Sequence, residues 1–448
     1  MTIDRTALLN EITQIAAPQR RLFHVLTAEL FFDSTVLNVF RVANLVRYAD
    51  YTKAYAEEFI IDLVMNRGLY NSYCIDNQDK LSINLYIDSS LQGQPPNITK
   101  LTMRAFPKNI TDDRVKQNRT ADLNQGELGK LELGIYQFQL VDLAIEQMRV
   151  MQTGGNYPVT SAASVLRVLM GGACDMLELP LEQKPKAPDM VPPDTEVVKN
   201  LVCVKQGTNL CDLPGYLQHH YGIYNTQMGS FYHDRTWYVW PLYNTKRFEL
   251  AHRTLTLINV PSDRFPDIET TFTQRGSNVV ILLTGESIYA DTSNRQQYND
   301  GNGTRAVRAS AMSGDEGRIV DKGQVLLQRS ETNTEIITND RRTGVQNVPT
   351  TAEVTDNTAR VLSRTATVNG TTAQFTWQSS NPSLLSPGMP VKLLYLKDDV
   401  VVQRYGTLIA TESQYYLTKP GLMEVSFLSN TALTVFISNA DDVYNTSL

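Results

Sequence analysis

The segment Lys80–Asp88, KLSINLYID, sets Leu81, Ile83, Leu85 and Ile87 against Ser82, Asn84, Tyr86 and Asp88. A side-chain period of two over this length belongs to a strand with one buried and one wet face. A helix cannot gather those four aliphatics, because residues two apart on a helix point about 200° apart. The same alternation runs through EEFIIDLVM (57–65), where Phe59, Ile61, Leu63 and Met65 share a side, and through ITKLTMRAF (98–106) and KLELGIYQF (130–138). QGQPPN and RTADLNQG, rich in turn formers, separate the runs. Residues 19–138 are thereby expected to form a mainly antiparallel β domain, a sandwich or a barrel.

The period changes outside this block. Asp4 can cap a helix from Arg5 to about Ile15, which Ala16-Ala17-Pro18 would stop, so 1–18 reads as an N-terminal helix or arm. QLVDLAIEQMRVM (139–151) takes helical spacing, with Gly154-Gly155 as its expected end. A second helix, SAASVLRVLMGGA, follows a Thr160 or Ser161 cap and is expected to end at Gly171-Gly172. EQKPKAPDMVPPDTE (182–196) is a proline-rich connector. After it come a strand around LVCVKQGTNL and a helix from Leu213 to His220, with Pro214 in its first turn and Gly222 at its end. GSFYHDRTWYVWPLY then reads as a hairpin turning at His233-Asp234-Arg235-Thr236. Residues 139–262 thus form a mixed helical and hairpin region, and 263–358, polar from about 286 onward, an extended linker or arm. The block 359–448 returns to strands. Hairpins are expected at Asn369-Gly370, Lys397-Asp398-Asp399 and Ser429-Asn430, which suggests a second, small barrel. The fold class is mainly β with α, an α+β multidomain chain with a β-barrel toward each end.

Bulk properties exclude several roles. A chain of 448 residues exceeds one ordinary core and should divide into two to four domains. Its net charge of −6 argues against a protein whose work is gripping nucleic-acid phosphates. No apolar leader precedes the first helix, and the longest apolar run, Val279-Val280-Ile281-Leu282-Leu283, is far short of a span of about 20 residues, so a soluble chain without a membrane anchor is expected. Cys74, Cys174, Cys203 and Cys211 are scattered without a C-x-x-C pair, which argues for free thiols.

Reactive residue types concentrate in LQHHYGIYNTQMGSFYHDRTWYVWPLY (217–243). Cys203, Cys211, His219 and His220 fit zinc poorly: the cysteines are eight apart, and adjacent helical histidines point about 100° apart. A Cys211 nucleophile served by His219 or His220 lacks a visible third group. Glu57-Glu58, Asp398-Asp399 and Asp441-Asp442 read as solvated turns and strand ends, because adjacency along the chain does not set two acids across a cleft. No catalytic, cofactor-binding or metal-binding residue is assigned. Tyr232, Trp237, Tyr238 and Trp240 could stack sugars or bases, but aromatic residues on a hairpin more commonly divide between a core face and a protein interface. These four are the candidate interface residues.

The order of elements, with the phrases LPGYLQHHYGIY…WYVWPLY and SPGMPVKLLY, resembles the central baseplate hub proteins of contractile-tailed bacteriophages, which are related to the hub part of type VI secretion spike proteins. The resemblance covers most of the chain in layout. It implies a structural virion protein of the tail baseplate, assembled in the host cytoplasm as a homotrimer. Each subunit would carry two tail-tube-like antiparallel barrels, 19–138 and 359–448, so that three subunits present six. Such a ring adapts the six-fold tail tube protein to the three-fold central spike protein and anchors other baseplate proteins. DNA passes through its lumen without specific binding, and no cofactor is implied. The alternatives are a tail-associated peptidoglycan hydrolase using Cys211, His219 and His233, and another tail-completion or adaptor protein.

Overall fold

The computed structural model describes residues 5–16, 22–75, 77–91, 97–108, 132–194, 196–224, 226–260, 270–284, 289–291, 305–308, 319–321, 324–327, 334–337, 370–397, 400–419 and 425–438. The alternating runs of the first block become β1 (Leu22–Phe32), β2 (Thr35–Leu37), β3 (Val39–Asp50), β4 (Glu58–Asn66), β5 (Leu81–Leu91), β6 (Ile98–Pro107) and β7 (Leu133–Asp142). The middle region holds β8 (Gln152–Thr160), β9 (Asp189–Met190), β10 (Lys199–Asn209), β11 (Met228–His233) and β12 (Thr236–Pro241). Beyond it lie β13 (Thr254–Val260), β14 (Phe272–Arg275), β15 (Asn278–Thr284) and β16 (Tyr289–Asp291), then four short strands, β17 (Arg305–Arg308), β18 (Ile319–Asp321), β19 (Gln324–Leu327) and β20 (Thr334–Ile337). The chain closes with β21 (Gly370–Trp377), β22 (Pro390–Lys397), β23 (Val400–Leu417) and β24 (Ser426–Ser438).

The architecture is mostly β and is dominated by one large sheet. Its hydrogen bonds run β23-β3-β4-β7-β6-β5-β1-β24, and β24 pairs back onto β23, which closes a ring. Closure leaves those strands without an open edge. Leu81, Ile83 and Leu85 point inward, fully buried, with Leu30, Ile61, Leu63 and Phe138. The C-terminal strands complete this core with Tyr415, Leu417 and Phe427. The N-terminal block therefore does not make its ring alone. The boundary expected at 359 separates residues by sequence, while the ring needs strands from both sides of it.

The same two long strands serve a second row, β14-β15-β13-β22-β23-β24-β21-β16. Here β13 lies parallel to both β15 and β22. Parallel strands are covered on both faces, and this one is. Leu255, Leu257, Val279 and Ile281 face the inner core around Trp377 and Leu433, while Ile258, Val260, Val280 and Leu282 face Leu8, Ile12 and Ile15 of the N-terminal helix, Arg5–Ala16. The run Val279–Leu283 is apolar throughout because each of its faces is buried. The boundary expected at 262 is corrected accordingly: β13 to β15 belong to the second row, not to the accessory region or to an arm. Most of the rest of the expected arm, with Asp4, Asn369 and Asp398-Asp399, lies outside the described residues.

Three more expectations are corrected. Gly154-Gly155 sit inside β8, where Gly154 lies so close to the Gln206 backbone that a Cβ would come within 2.6 Å of its Cα; the glycines serve a ribbon with β10, not a helix end. The preceding helix is the short Leu143–Met148, since β7 keeps its strand pairing to Asp142. The helix capped by Ser161 runs through Gly171-Gly172 to Met176, because Ala173, Cys174 and Leu177 continue its apolar face. Finally, Ser429-Asn430 make no hairpin. They lie within β24 where it leaves β21, whose last partner is Thr431, and joins β1 at Phe427. Their polar groups satisfy that changeover: the Ser429 carbonyl accepts from the Ser380 amide at 2.7 Å, and Asn430 Oδ1 accepts from the Ser379 amide at 3.3 Å. The helix Leu213–Tyr221, with Pro214 in its first turn and Gly222 at φ 67°, follows the sequence reading.

Candidate functional site at the aromatic hairpin

The sequence places bulky residues on both faces of β11 and β12, and the structure buries both. Phe231 pairs with Tyr238 and Gly229 with Trp240, and this face packs into the second-row core with Tyr51, Leu255 and Trp377. Tyr232 pairs with Trp237, and that face packs into the helical module with Met148, Leu217 and Tyr224. Trp237 donates Nε1–H to Met148 Sδ at 3.0 Å. The hairpin is thus a wedge shared by two cores. Its edges are tied as well: the Tyr232 amide donates to the Tyr55 carbonyl at 2.7 Å, and the Val191 amide to the Val239 carbonyl at 2.9 Å.

The two phrases that carry the sequence resemblance touch here. Trp240, from WYVWPLY, lies over Gly388, from SPGMPVKLLY, so closely that a Cβ on Gly388 would approach its indole to 2.3 Å. Gly388 also holds φ at 64°, a left-handed conformation that glycine adopts freely. Arg247 Nη2 donates to the Gly388 carbonyl at 2.8 Å and fixes the turn from a third element. Gly229, paired with Trp240 across the hairpin, makes room for the ring too: a Cβ there would approach the indole to 2.4 Å.

A buried ion cluster sits at the hairpin's turn. Arg47 of β3 donates Nη2 to both Glu57 oxygens, at 3.0 and 2.9 Å, and His233 Nδ1 lies 3.3 Å from Glu57 Oε1. Burial works against the Glu57 carboxylate, but Arg47 and His233 outweigh it and hold the group down at about 2. Asp142, the last residue of β7, caps the helix Leu143–Met148 by accepting from the Ala144 amide at 2.8 Å. Burial, with Glu57 adding to it, pushes this carboxyl up to about 6 against its backbone hydrogen bonds. Below the cluster His24 is fully buried. Its Nε2 lies 3.0 Å from the Ser380 carbonyl and must donate there, so Nδ1 accepts from Ser89 Oγ at 2.9 Å. Burial lowers this imidazole to about 4, despite the hydrogen bond to Ser380.

Of the four candidate interface residues, Trp237, Trp240 and Tyr232 are 0%, 2% and 2% exposed, and Tyr238 is half-buried. Within this chain the first three are core residues; Tyr238 alone keeps some surface. Cys211 is buried, and burial pushes its thiol up to about 11. His219 and His220 sit on the exposed side of their helix with ring centres 5.1 Å apart, while His233 turns to Glu57. Cys203 is exposed. The sequence reading missed Arg47, Glu57 and Asp142. Glu57 reads as half of a solvated pair, yet it is the centre of the cluster, and only its neighbour Glu58 makes an ordinary strand-to-strand contact, with Gln139 at 2.7 Å. The available signal was Arg47 itself, the one charge in the mostly apolar run VANLVRYA.

No family model matches the sequence, and no curated protein matches it. Solved structures similar to this chain include tail proteins and type VI secretion proteins. A tail protein from Neisseria meningitidis MC58 matches with a TM-score of 0.46 and 10% identity, over 93% of this chain and 97% of that one. The 43 kDa tail protein of prophage MuSo2 from Shewanella oneidensis matches with a TM-score of 0.46 and 8% identity, over 92% and 98%. An Escherichia coli component of the type VI secretion system, described as structurally similar to tail proteins of bacteriophage T4, matches with a TM-score of 0.40 and 7% identity, over 91% and 76%.

Proposed function

We propose that this chain is a structural baseplate hub: a homotrimer that joins a six-fold tail tube to a three-fold spike, anchors surrounding baseplate proteins and leaves a channel for DNA. The observation that carries the reading is the strand order. The ring β23-β3-β4-β7-β6-β5-β1-β24 is one tail-tube-like barrel, and the row from β14 to β16 is the other. Because β23 and β24 run through both, the two units cannot swing apart without breaking a continuous ladder. Two rigidly coupled units per subunit give three subunits six similar faces, which is what an adaptor between six-fold and three-fold partners requires. The wedge hairpin fixes the helical module to this pair.

The role is non-enzymatic, and the working parts are interfaces. With a net charge of −6, the lumen passes DNA by repulsion rather than binding it. Sedimentation of the purified chain tests the assembly: a concentration-dependent trimer that co-sediments with tail tube and spike proteins is expected. A chain that stays monomeric at high concentration and retains neither partner would refute the hub.

A further inference from the structure

The ring is not equally strong all the way round. β1 pairs with β5 along its whole length, from Leu22↔Leu91 to Phe32↔Leu81, and β24 pairs with β23 along most of its own. Between them β1 and β24 close the ring through two residue pairs, His24↔Phe427 and Val25↔Ser426. The next shortest seam, β6 with β7, has five pairs. Local opening starts where the fewest contacts must be given up, so this seam is the ring's weakest point.

His24 stands in that seam, on the inner face of β1 in line with Leu22, Leu26 and Leu30. Through it the hydrogen bonds of the ring pass to the second row. Nε2 donates to the Ser380 carbonyl, and Ser380 Oγ lies 3.0 Å from Ser429 Oγ and 2.7 Å from Thr431 Oγ1. Thr431 Oγ1 lies 2.9 Å from Ser413 Oγ. All four hydroxyl residues are buried. Each hydroxyl can donate and accept, so the chain is satisfied around a neutral imidazole.

A second proton on the ring changes the balance. Nδ1 becomes a donor, and Ser89 can turn its hydroxyl to accept, so both hydrogen bonds survive. What remains is a buried cation, and the groups that face it do not neutralise it. Arg47 of β3 is itself a cation, already paired with Glu57. Asp88 of β5 favours the charge but acts no more strongly than Arg47 opposes it. Tyr415 of β23 makes a T-shaped contact at 5.0 Å, and Phe427 of β24 is apolar. The cheapest relief is to part the two pairs of the seam and let water reach the imidazole.

We propose that the β1–β24 seam is an acid-operated gate: a proton on His24 parts these two strands and leaves the other seams of the ring closed. Opening bares the facing edges of β1 and β24, while β1 stays on β5 and β24 stays on β23. The ring and the second row remain joined through β23 and β3. The gate operates within one chain, whatever that chain assembles with.

Hydrogen exchange of the full chain, read by mass spectrometry at pH 7.5 and pH 5 and corrected for the intrinsic exchange rate, tests the gate. Above the ordinary imidazole value of 6.5 His24 is neutral in the closed and the open form; below it the open form takes the proton first, because the closed form holds the imidazole at about 4. Amides around His24 and Phe427 should therefore open about thirtyfold more often at pH 5, while those of β4 and β7 stay protected. His24→Gln keeps a donor for Ser380 and an acceptor for Ser89 but takes no proton, and should abolish the pH-dependent opening. A disulfide across the seam, made by Val25→Cys with Ser426→Cys, leaves the imidazole in place and should hold the same amides protected at both pH values. Exchange around His24 and Phe427 that is unchanged at pH 5 overturns the proposal. So does loss of protection in β4 and β7 together with the seam, or an acid opening that survives in His24→Gln or in the disulfide-locked chain.

Discussion

The interior of the ring and the junction at the hairpin are both buried, but they are held by different physics. The ring interior is aliphatic, built from residues such as Leu30, Ile61, Leu81 and Ile83, each supplied by strand alternation. Such a core tolerates swaps that conserve volume, because no single contact is directional. The junction is built from large rings seated on glycines and from charges that need their partners. It tolerates little, since a lost atom leaves either a large void or a buried ion. The lesson is that the region with the more reactive residue types is the one where most of those residues serve as structure.

That contrast can be broken first at Trp240. Replacing Trp240 with Ala should destabilise the chain by about 3–5 kcal/mol, against less than about 1.5 kcal/mol for Ile83→Leu in the ring, as read by denaturant midpoints. Next comes Glu57→Ala. It strands Arg47 in the interior, and a loss of roughly 3–5 kcal/mol is expected. Replacing Arg47 and Glu57 together by apolar residues should recover most of that loss; a double variant as weak as the single one would show that the pair acts in some other way.

Acid should then separate the groups of the junction by pH. His24 is lowered to about 4 in the fold, so its contribution is present above the ordinary imidazole value of 6.5 and is lost as pH falls from there through 4. Glu57 is held at about 2, so its contribution is present above about 4.5 and is lost as pH falls through 2. Each is worth roughly 3 kcal/mol at most. A stability curve measured from pH 7 to 2 should therefore fall in two stages, and His24→Gln should remove the upper one.

The smallest expected effect has the opposite sign. Asp142 is raised to about 6, so its ionised form opposes folding at neutral pH, and that penalty fades as pH falls below 6. Asp142→Asn should raise stability by about 1–2 kcal/mol at pH 7.5 and by little at pH 4.

The strands of the first block were legible because period two names a strand wherever one face is wet, as in Lys80–Asp88 and 57–65. The helix at Leu213 was legible from Pro214 and Gly222. The sharing of β23 and β24 between two strand sets was not, because pairing partners far apart in sequence leave no local mark. Ser429-Asn430 show the difficulty: polar residues that elsewhere signal a turn here satisfy a strand changing neighbours. The apolar run Val279–Leu283 needed the N-terminal helix for its explanation. At the site, the hairpin and its turn could be read directly. The burial of Trp237 and Trp240 could not, because β-propensity places aromatics on strands without saying what covers them. The Glu57 cluster was hidden because its three members come from positions 47, 57 and 233.

In the proposed hub, two coupled strand units per chain become six around an axis. Electron cryo-microscopy of the assembled chain, reconstructed without imposed symmetry, tests it most directly. A three-subunit ring with three-fold symmetry and six similar barrel outlines about a central channel is expected. A six-subunit ring, or a particle without a channel, would contradict it.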